Sequence, residues 1–229
     1  MTELWNGLLK ALELIVTFNP EVMAIAGLSL RIAVTSTLLA AIICLPLGSL
    51  VHFKQFHGKR VLISLIQTFY SVPTVTVGLL VFVLFSRSGP LGGLNLLFTP
   101  TVMILGQVLL VSPILVGLTV SALSGVDRTV TDTARSLGAS GRQTAFLILK
   151  EARFAVMAAL VLGFGRAISE VGLALMVGGN IKGFTRVLTT AISLETSKGD
   201  WELSMALGII LIIIALVINV VLNRIQQRR

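Results

Sequence analysis

The chain has 229 residues, of which 55% are hydrophobic and only 12% charged, and its mean hydropathy is +0.97. Soluble domains carry about 25% charged residues, so this composition excludes a water-soluble globule and predicts an integral membrane protein. The single cysteine, Cys44, excludes a disulfide framework, and two histidines are too few for an ordinary zinc enzyme. The net charge of +8 is explained first by membrane topology rather than by binding of nucleic acid.

The first 20 residues form an amphipathic segment. A narrow polar stripe recurs at helical spacing, at Asn6, Lys10, Glu13 and Thr17. The segment ends at Asn19-Pro20, which stops a helix. Because it is short and charged, we predict an interfacial helix that lies on the membrane, with a sixth, short span as the alternative.

Five later segments have the composition of membrane spans. A spanning helix needs about 20 mostly apolar residues. The candidate spans run over residues 25–51, 61–85, 101–123, 155–177 and 203–222. No internal repeat is apparent, which weighs against a secondary transporter built from inverted halves.

The basic residues orient these five spans. If there are five, eleven Lys and Arg residues fall on one side, in segment 52–60, loop 125–154 and the tail from residue 224, against four on the other side. The four are Arg87, Lys182, Arg186 and Lys198. The positive-inside rule therefore places the loop and the tail in the cytoplasm. Lipid head groups are the expected counter-charge there, not nucleic acid.

Loop 125–154 is polar but has helical periodicity. An apolar stripe recurs at spacings of four, four and three residues, at Val126, Val130, Ala134 and Leu137. Asp127 favours the start of a helix, Gly138 its end, and Ser140 the cap of a second helix. The pattern predicts a helix, a glycine turn and a helix beneath the bilayer. The stripe needs a partner surface, either the chain's own helix ends or another subunit.

The same loop resembles the EAA loop of ABC-importer permeases. Asp132-Thr133-Ala134 matches the E-A-A start, and Gly138 and Ile148 fall at the expected spacing, while Lys150-Glu151 replaces the usual Leu-Pro. The resemblance implies a coupling helix that docks into a groove of a cytoplasmic ATPase subunit. The coupling residues it implies are Asp132, Thr133, Ala134, Leu137 and Gly138, with Ala134 close to the partner backbone.

A second stretch resembles the permeases for tungstate and molybdate. Segments 165–172 and 178–181, within residues 163–192, carry this resemblance. Segments 84–92, 96–100 and 191–201 are most similar to the tungstate branch. The resemblance extends over nearly the whole chain, from about Leu28 onward.

Charged residues inside the fourth candidate span are the main candidates for the transport path. Arg166 and Glu170 are four residues apart and so share a helix face. Charges at that depth face the bundle interior or water. They could line or latch the path, or form an internal ion pair that fixes helix register. Arg166 is the better attractor of an anion, since Glu170 would repel it. The candidate pathway or gate residues are Arg166, Ser169, Glu170, Gly178, Gly179 and Asn180.

The two resemblances imply a single permease domain over residues 1–229. The fold class is all-α: a polytopic membrane helical bundle of five spans, an N-terminal interfacial helix and a cytoplasmic coupling helix. The chain lacks the G-x-x-x-x-G-K-[ST] pattern and any constellation of catalytic groups, so we expect a transport subunit that is not itself an enzyme.

The implied function is inward translocation of an oxyanion, with tungstate favoured, by alternating access. The implied partners are a second copy in a homodimer, cytoplasmic ABC ATPase subunits, an extracytoplasmic solute-binding protein and membrane lipid. We expect no cofactor or metal in this chain, ATP and magnesium being held by the ATPase. The implied location is the prokaryotic inner membrane, with a cytoplasmic C-terminus. The alternatives are a self-contained channel or secondary transporter, a permease for molybdate or another anion, and an intramembrane enzyme.

Overall fold

The structure of the chain, a computed structural model, describes residues 2–227. Within these residues it contains eleven α-helices, two 3-10 turns and no strand, which confirms the all-α prediction. The helices are α1 (Thr2–Val16), α2 (Pro20–Phe53), α3 (Lys59–Thr68), α4 (Thr74–Phe85), α5 (Pro100–Ser124), α6 (Arg128–Ser136), α7 (Gly141–Glu151), α8 (Arg153–Ile168), α9 (Gly172–Gly178), α10 (Leu188–Lys198) and α11 (Trp201–Gln227). The 3-10 turns are Phe69–Ser71 and Gly92–Leu94.

Three of the described helices are long and apolar enough to cross a membrane: α2, α5 and the Trp201–Val221 part of α11. Two further candidates are bent pairs, one formed by Lys59–Ser71 with α4 at 96° and the other by α8 with α9 at 56°. By length and composition, the described residues thus contain three candidate spans, or up to five if each bent pair is one span. The bent pairs occupy the second and fourth predicted segments, each of which the sequence had suggested as one continuous helix.

The first bend lies at Val72-Pro73. Val72 is extended (φ −63°, ψ 128°), as the residue before a proline usually is, because the proline ring clashes with a helical predecessor. Pro73 then precedes α4. Pro46 and Pro113, by contrast, lie inside α2 and α5, which continue through them. A proline by itself therefore did not predict where a candidate span would be divided.

The core is centred on the close pair of α2 and α5. A Cβ at Gly48 would lie 2.8 Å from the Cβ of Thr119 and 2.9 Å from the carbonyl oxygen of Val116, so only glycine permits this approach of the two helices. Ala159 and Phe164 of α8 are buried in one apolar cluster with Cys44 of α2 and Leu115 of α5. The hydrophobic packing thereby places α8, which carries Arg166, against the central pair.

The N-terminal helix α1 packs against α11. Ala11 and Leu14 of α1 are buried in one cluster with Ala206 and Leu207 of α11. The Asn6 side-chain amide also donates a hydrogen bond to Glu202 (3.1 Å). The predicted interfacial helix is therefore a docked part of the bundle, and its position relative to the bilayer stays a prediction.

Candidate functional site: a helical hairpin and a broken helix

The predicted helix–turn–helix in loop 125–154 is present as α6 and α7. Asp127 precedes α6, and its carboxylate accepts hydrogen bonds from the Thr129 backbone N–H (2.8 Å) and hydroxyl (2.7 Å). These two hydrogen bonds lower the pKa of Asp127 below its ordinary value because they stabilise the carboxylate. A negative charge here also favours the positive end of the helix dipole. The sequence prediction for the start of α6 is confirmed.

The turn between the two helices is a Schellman motif. The Ala139 N–H donates to the Ala134 carbonyl (2.9 Å) and the Gly138 N–H to the Arg135 carbonyl (2.9 Å). Gly138 has φ +81°, a conformation that glycine adopts without steric cost. Ser140 then caps α7 in a reciprocal capping box with Gln143. Residues close in sequence thus determine the turn and the starts of both helices.

The surface of the hairpin differs from the predicted apolar stripe. Leu137 is 83% exposed, but Ala134 is only 7% exposed within the chain itself. Ala134 is therefore largely covered by the chain's own atoms, and its contact with a partner backbone stays a prediction. Asp132 and Thr133 are exposed and Gly138 shapes the turn, so Leu137 is the apolar member of the predicted coupling set that remains available.

A buried apolar cluster attaches the hairpin to the bundle. It joins Leu123 at the end of α5, Ile148 of α7 and Ala152, with Val126 and Val156 packed against it. Ala152 alone separates α7 from α8, so Lys150-Glu151, where the EAA pattern has Leu-Pro, lets one helix follow the other almost directly. The hairpin is therefore packed against the end of α5 and the start of α8.

A groove of about 560 Å³ opens between the start of α6 and the bundle. Small residues of α5 and α8 line it, among them Ala122, Ala155 and Ala158, together with Asp127 and Glu151. The groove leaves space between the start of the hairpin and the membrane helices.

The intramembrane charges pair at the break between α8 and α9. The Arg166 guanidinium lies 3.1 Å from Glu170, whose side chain is 1% exposed against 34% for Arg166. Glu170 also accepts a hydrogen bond from the Leu173 N–H (2.9 Å) at the start of α9. The predicted pair is present, but in a gap between helices rather than on one continuous helix. Glu170 is held inside, while Arg166 keeps part of its cation accessible.

Two buried polar side chains satisfy the backbone around this break. The Thr189 hydroxyl donates to the Glu170 carbonyl (2.7 Å). The Gln107 amide donates to the Ala167 carbonyl (3.2 Å), and the amide oxygen of Gln107 accepts from Ser36 (2.9 Å). The roles of Gln107, Ser36 and Thr189 at this break were not predicted from the sequence. A polar residue within a 20-residue apolar segment, such as Gln107, was the available signal.

The remaining gate candidates lie at the two ends of α9. Ser169 is exposed, and its hydroxyl bonds back to the Gly165 carbonyl (2.8 Å). Gly178, Gly179 and Asn180 form the far end of α9, where Gly179 and Asn180 have positive φ. The seven residues of α9 separate the two groups by about 10 Å. The structure therefore brings Arg166, Ser169 and Glu170 together but not the Gly178–Asn180 turn.

That far turn is held by the chain's own hydrogen bonds. The Thr185 hydroxyl donates to the Gly178 carbonyl (2.5 Å), and the Asn180 side chain donates to the Thr190 carbonyl (3.3 Å). Lys182 pairs with Glu21 (2.8 Å) at the start of α2. No group of three or more potential metal-ligating side chains occurs among the residues that the structure describes.

Comparison with known proteins identifies a family of transport proteins that this chain resembles. Residues 44–229 match the family model described as the binding-protein-dependent transport system inner membrane component. The chain is 41% identical over 222 residues to the tungstate uptake system permease protein TupB of Peptoclostridium acidaminophilum, covering 97% of each protein. It is 43% identical over 211 residues to a probable anion ABC transporter permease protein of Haloferax volcanii, covering 90% of this chain and 91% of that one.

Solved structures support the fold. A chain of the MetNI methionine ABC transporter in inward-facing form aligns with a TM-score of 0.72 and 16% identity, over 90% of this chain and 95% of that one. A chain of an amino acid ABC transporter aligns with a TM-score of 0.73 and 17% identity, over 94% and 97%. The resemblance inferred from the hairpin and from the fourth candidate span is confirmed, and the protein is a multi-pass membrane protein. The chain belongs to the family of binding-protein-dependent transport system inner membrane components, the permeases of ABC importers.

Proposed function

We propose that the chain is the membrane path for tungstate in an ABC importer. The observation that carries this proposal is the 41% identity, over 97% of both chains, to a protein named as a tungstate uptake permease. A relative in Campylobacter jejuni with the same name is 36% identical over 98% of this chain. Molybdate is the second candidate, because the molybdenum transport permease of Haemophilus influenzae is 30% identical over 91% of this chain.

The charges of the broken helix fit an anionic substrate. Arg166 is the cation of the α8–α9 break and is one-third exposed, while the Glu170 carboxylate is turned inward onto Leu173 and Arg166. A passing dianion would therefore contact the Arg166 guanidinium and would not be repelled at close range by the Glu170 carboxylate. A guanidinium presents several donors in a planar fork that matches an oxyanion. Arg166 would attract tungstate transiently rather than hold it.

Two copies would complete the path. Each chain supplies up to five spans, and a closed two-fold arrangement is the commonest way to surround a central path. We propose a homodimer in which the α8–α9 breaks of the two copies lie on either side of the path. A solute-binding protein would deliver the anion at the outer ends of the helices.

The hairpin would couple the path to ATP. We propose that cytoplasmic ABC ATPase subunits, which hold ATP and magnesium, dock on α6 through Leu137, Asp132 and Thr133. Closure of the ATPase dimer would move the hairpin, and the cluster of Leu123, Ile148 and Ala152 would pass the motion to α5 and α8. The path would thereby alternate between inward and outward access, with the C-terminus of α11 in the cytoplasm.

The test is uptake of isotopically labelled tungstate into liposomes that contain the complete importer and enclose ATP. We expect uptake to require ATP and loaded binding protein, and to be inhibited more strongly by unlabelled tungstate than by molybdate or sulfate. Uptake without ATP would favour a self-contained transporter or channel. Stronger inhibition by molybdate than by tungstate would assign the importer to molybdate.

A further inference from the structure

The segment between α2 and α3 carries positive charge that no acidic side chain balances. We call Lys54, Lys59 and Arg60, with His57 between them, the basic turn. The sequence contains no acidic residue from 22 to 126, and no salt bridge among the described residues involves the basic turn. Lys59 donates to the carbonyls of His52 (2.6 Å) and Lys54 (3.2 Å) and so partly neutralises the end of α2. Lys54 and Arg60 remain available to an external anion.

The helix that follows presents an apolar face away from the bundle. Val61, Leu65 and Phe69 are four residues apart, so they share one side of α3 and its 3-10 extension, and each is more than half exposed. The opposite side faces α5, where a Cβ at Gly117 would overlap the Tyr70 hydroxyl. This segment is bent by 96° from α4. It is therefore a short amphipathic element with basic residues at its start.

A cavity of about 530 Å³ lies where the basic turn meets this apolar face. Gln55, Lys59 and Arg60 line it together with the apolar residues Phe56 and Val61. One cavity thus offers donors for a phosphate beside carbon surface for the start of an acyl chain. A soluble phosphate would use only the first of these two features.

We propose that the basic turn and the apolar face of α3 form a binding surface for an anionic phospholipid. Arg60, which lines the cavity, holds the phosphate, the exposed Lys54 adds positive charge to the same turn, and Val61, Leu65 and Phe69 contact the acyl chains. Basic clusters beside a membrane span attract anionic lipids in this way. An isologous contact with a second copy at this surface is disfavoured, because it would bring two basic turns of the same charge together. This inference goes beyond the transport function and requires only that the chain lies in a membrane.

The surface is connected to the coupling hairpin. His52 at the end of α2 lies 3.2 Å from the Ser124 hydroxyl at the end of α5, and α6 begins four residues later, at Arg128. A lipid bound at the basic turn would therefore restrict the movement of the end of α5, from which the hairpin extends.

The test is quenching of a single tryptophan by brominated lipids in nanodiscs. The reporter chain carries Phe56→Trp with Trp5→Phe and Trp201→Phe. The matched control keeps only native Trp201, which lies between Asp200 and Glu202. We expect brominated phosphatidylglycerol to quench the reporter with about tenfold higher apparent affinity than brominated phosphatidylcholine, and the control tryptophan to show no such preference.

Charge variants then locate the site. Lys54→Gln with Arg60→Gln should reduce the preference to near unity, whereas Arg128→Gln with Arg135→Gln, an equal loss of charge on α6, should retain it. Inorganic phosphate should not abolish the preference when compared with chloride at equal ionic strength. Equal quenching by both lipids, an unchanged preference in the Lys54/Arg60 variant, or displacement by phosphate would overturn the proposal. A reporter that neither lipid quenches would indicate that protein covers this face and would also overturn it.

Discussion

The side-chain amide of Gln107 donates a hydrogen bond to the carbonyl oxygen of Ala167 across 3.2 Å, linking the middle of α5 to the last turn of α8. The bond satisfies a carbonyl near the point where α8 ends. Because a bilayer offers no water to such a group, it needs a partner within the protein. The Glu170 N–H also donates to this carbonyl (3.3 Å), so Gln107 adds a second hydrogen bond at the break beside Arg166.

Gln107→Leu should lower stability in detergent by about 0.6–2 kcal/mol, the range for hydrogen bonds between membrane helices. The matched control is Thr119→Val on the same helix, whose hydroxyl donates to the Leu115 carbonyl one turn earlier (2.6 Å). Thermal unfolding of the purified protein measures both variants. Equal shifts would mean that the link to Ala167 contributes nothing specific.

The Arg166–Glu170 pair should show energetic coupling in a double-mutant cycle. Removing one partner of a buried pair costs about 3–5 kcal/mol, and we expect the lower end because Arg166 is partly exposed. Glu170→Gln can still accept from the Leu173 N–H and should therefore harm stability less than Glu170→Ala. The exposed Lys10–Glu13 pair, also 3.1 Å apart, is the control and should couple by at most about 1 kcal/mol. Additive losses at Arg166 and Glu170 would contradict the ion-pair account.

Gly138 should tolerate asparagine better than valine. Its φ of +81° costs an L-residue about 1–2 kcal/mol, asparagine less, and a β-branched residue most. A Cβ there meets no atom within 4 Å, so the effect is conformational rather than steric. Gly141→Ala, at an equally open position whose φ is not positive, is the control. We expect ATP-dependent uptake to decrease in the order Gly141→Ala, Gly138→Asn, Gly138→Val, with membrane insertion unchanged; equal uptake by all three would show that the turn conformation is unimportant.

The proposed orientation places the two ends of α5 on opposite sides of the membrane. A reporter that is active only in the cytoplasm should be active when fused to the C-terminus and inactive when fused after Asn95, in the segment before α5. The Lys and Arg distribution predicts this result, although Arg228 and Arg229 of the tail lie outside the described residues. Equal activity at the two positions would contradict an odd number of spans between them.

The hairpin could be predicted from sequence because its determinants are local. Asp127, Gly138 and Ser140 act within a few residues along the chain. The burial of Ala134 could not be predicted, because the stripe pattern reports which residues share a face but not which of them the chain itself covers.

The broken helix was harder to predict because its supports come from distant parts of the chain. Gln107 and Thr189 lie 60 and 19 residues from the backbone groups that they satisfy. The i to i+4 spacing of Arg166 and Glu170 correctly indicated that the two side chains meet. The spacing cannot distinguish a continuous helix from a helix that ends and is followed by a bend, here of 56°. Proline alone likewise does not explain the 96° bend, because α2 and α5 continue through Pro46 and Pro113.

The most direct test of the central claim is whether the exposed side chain of the α6–α7 turn carries the ATPase contact. Leu137→Asp is compared with Leu94→Asp, since both leucines are exposed. Leu94 lies in the 3-10 turn before α5, whereas Leu137 lies in the turn after α6. Co-purification of the ATPase and ATP-dependent tungstate uptake are measured for both variants in reconstituted membranes. The account predicts that Leu137→Asp loses the ATPase, or keeps ATP hydrolysis that no longer drives uptake, while Leu94→Asp retains the ATPase. Normal ATPase binding and coupled uptake in the Leu137→Asp variant would contradict it.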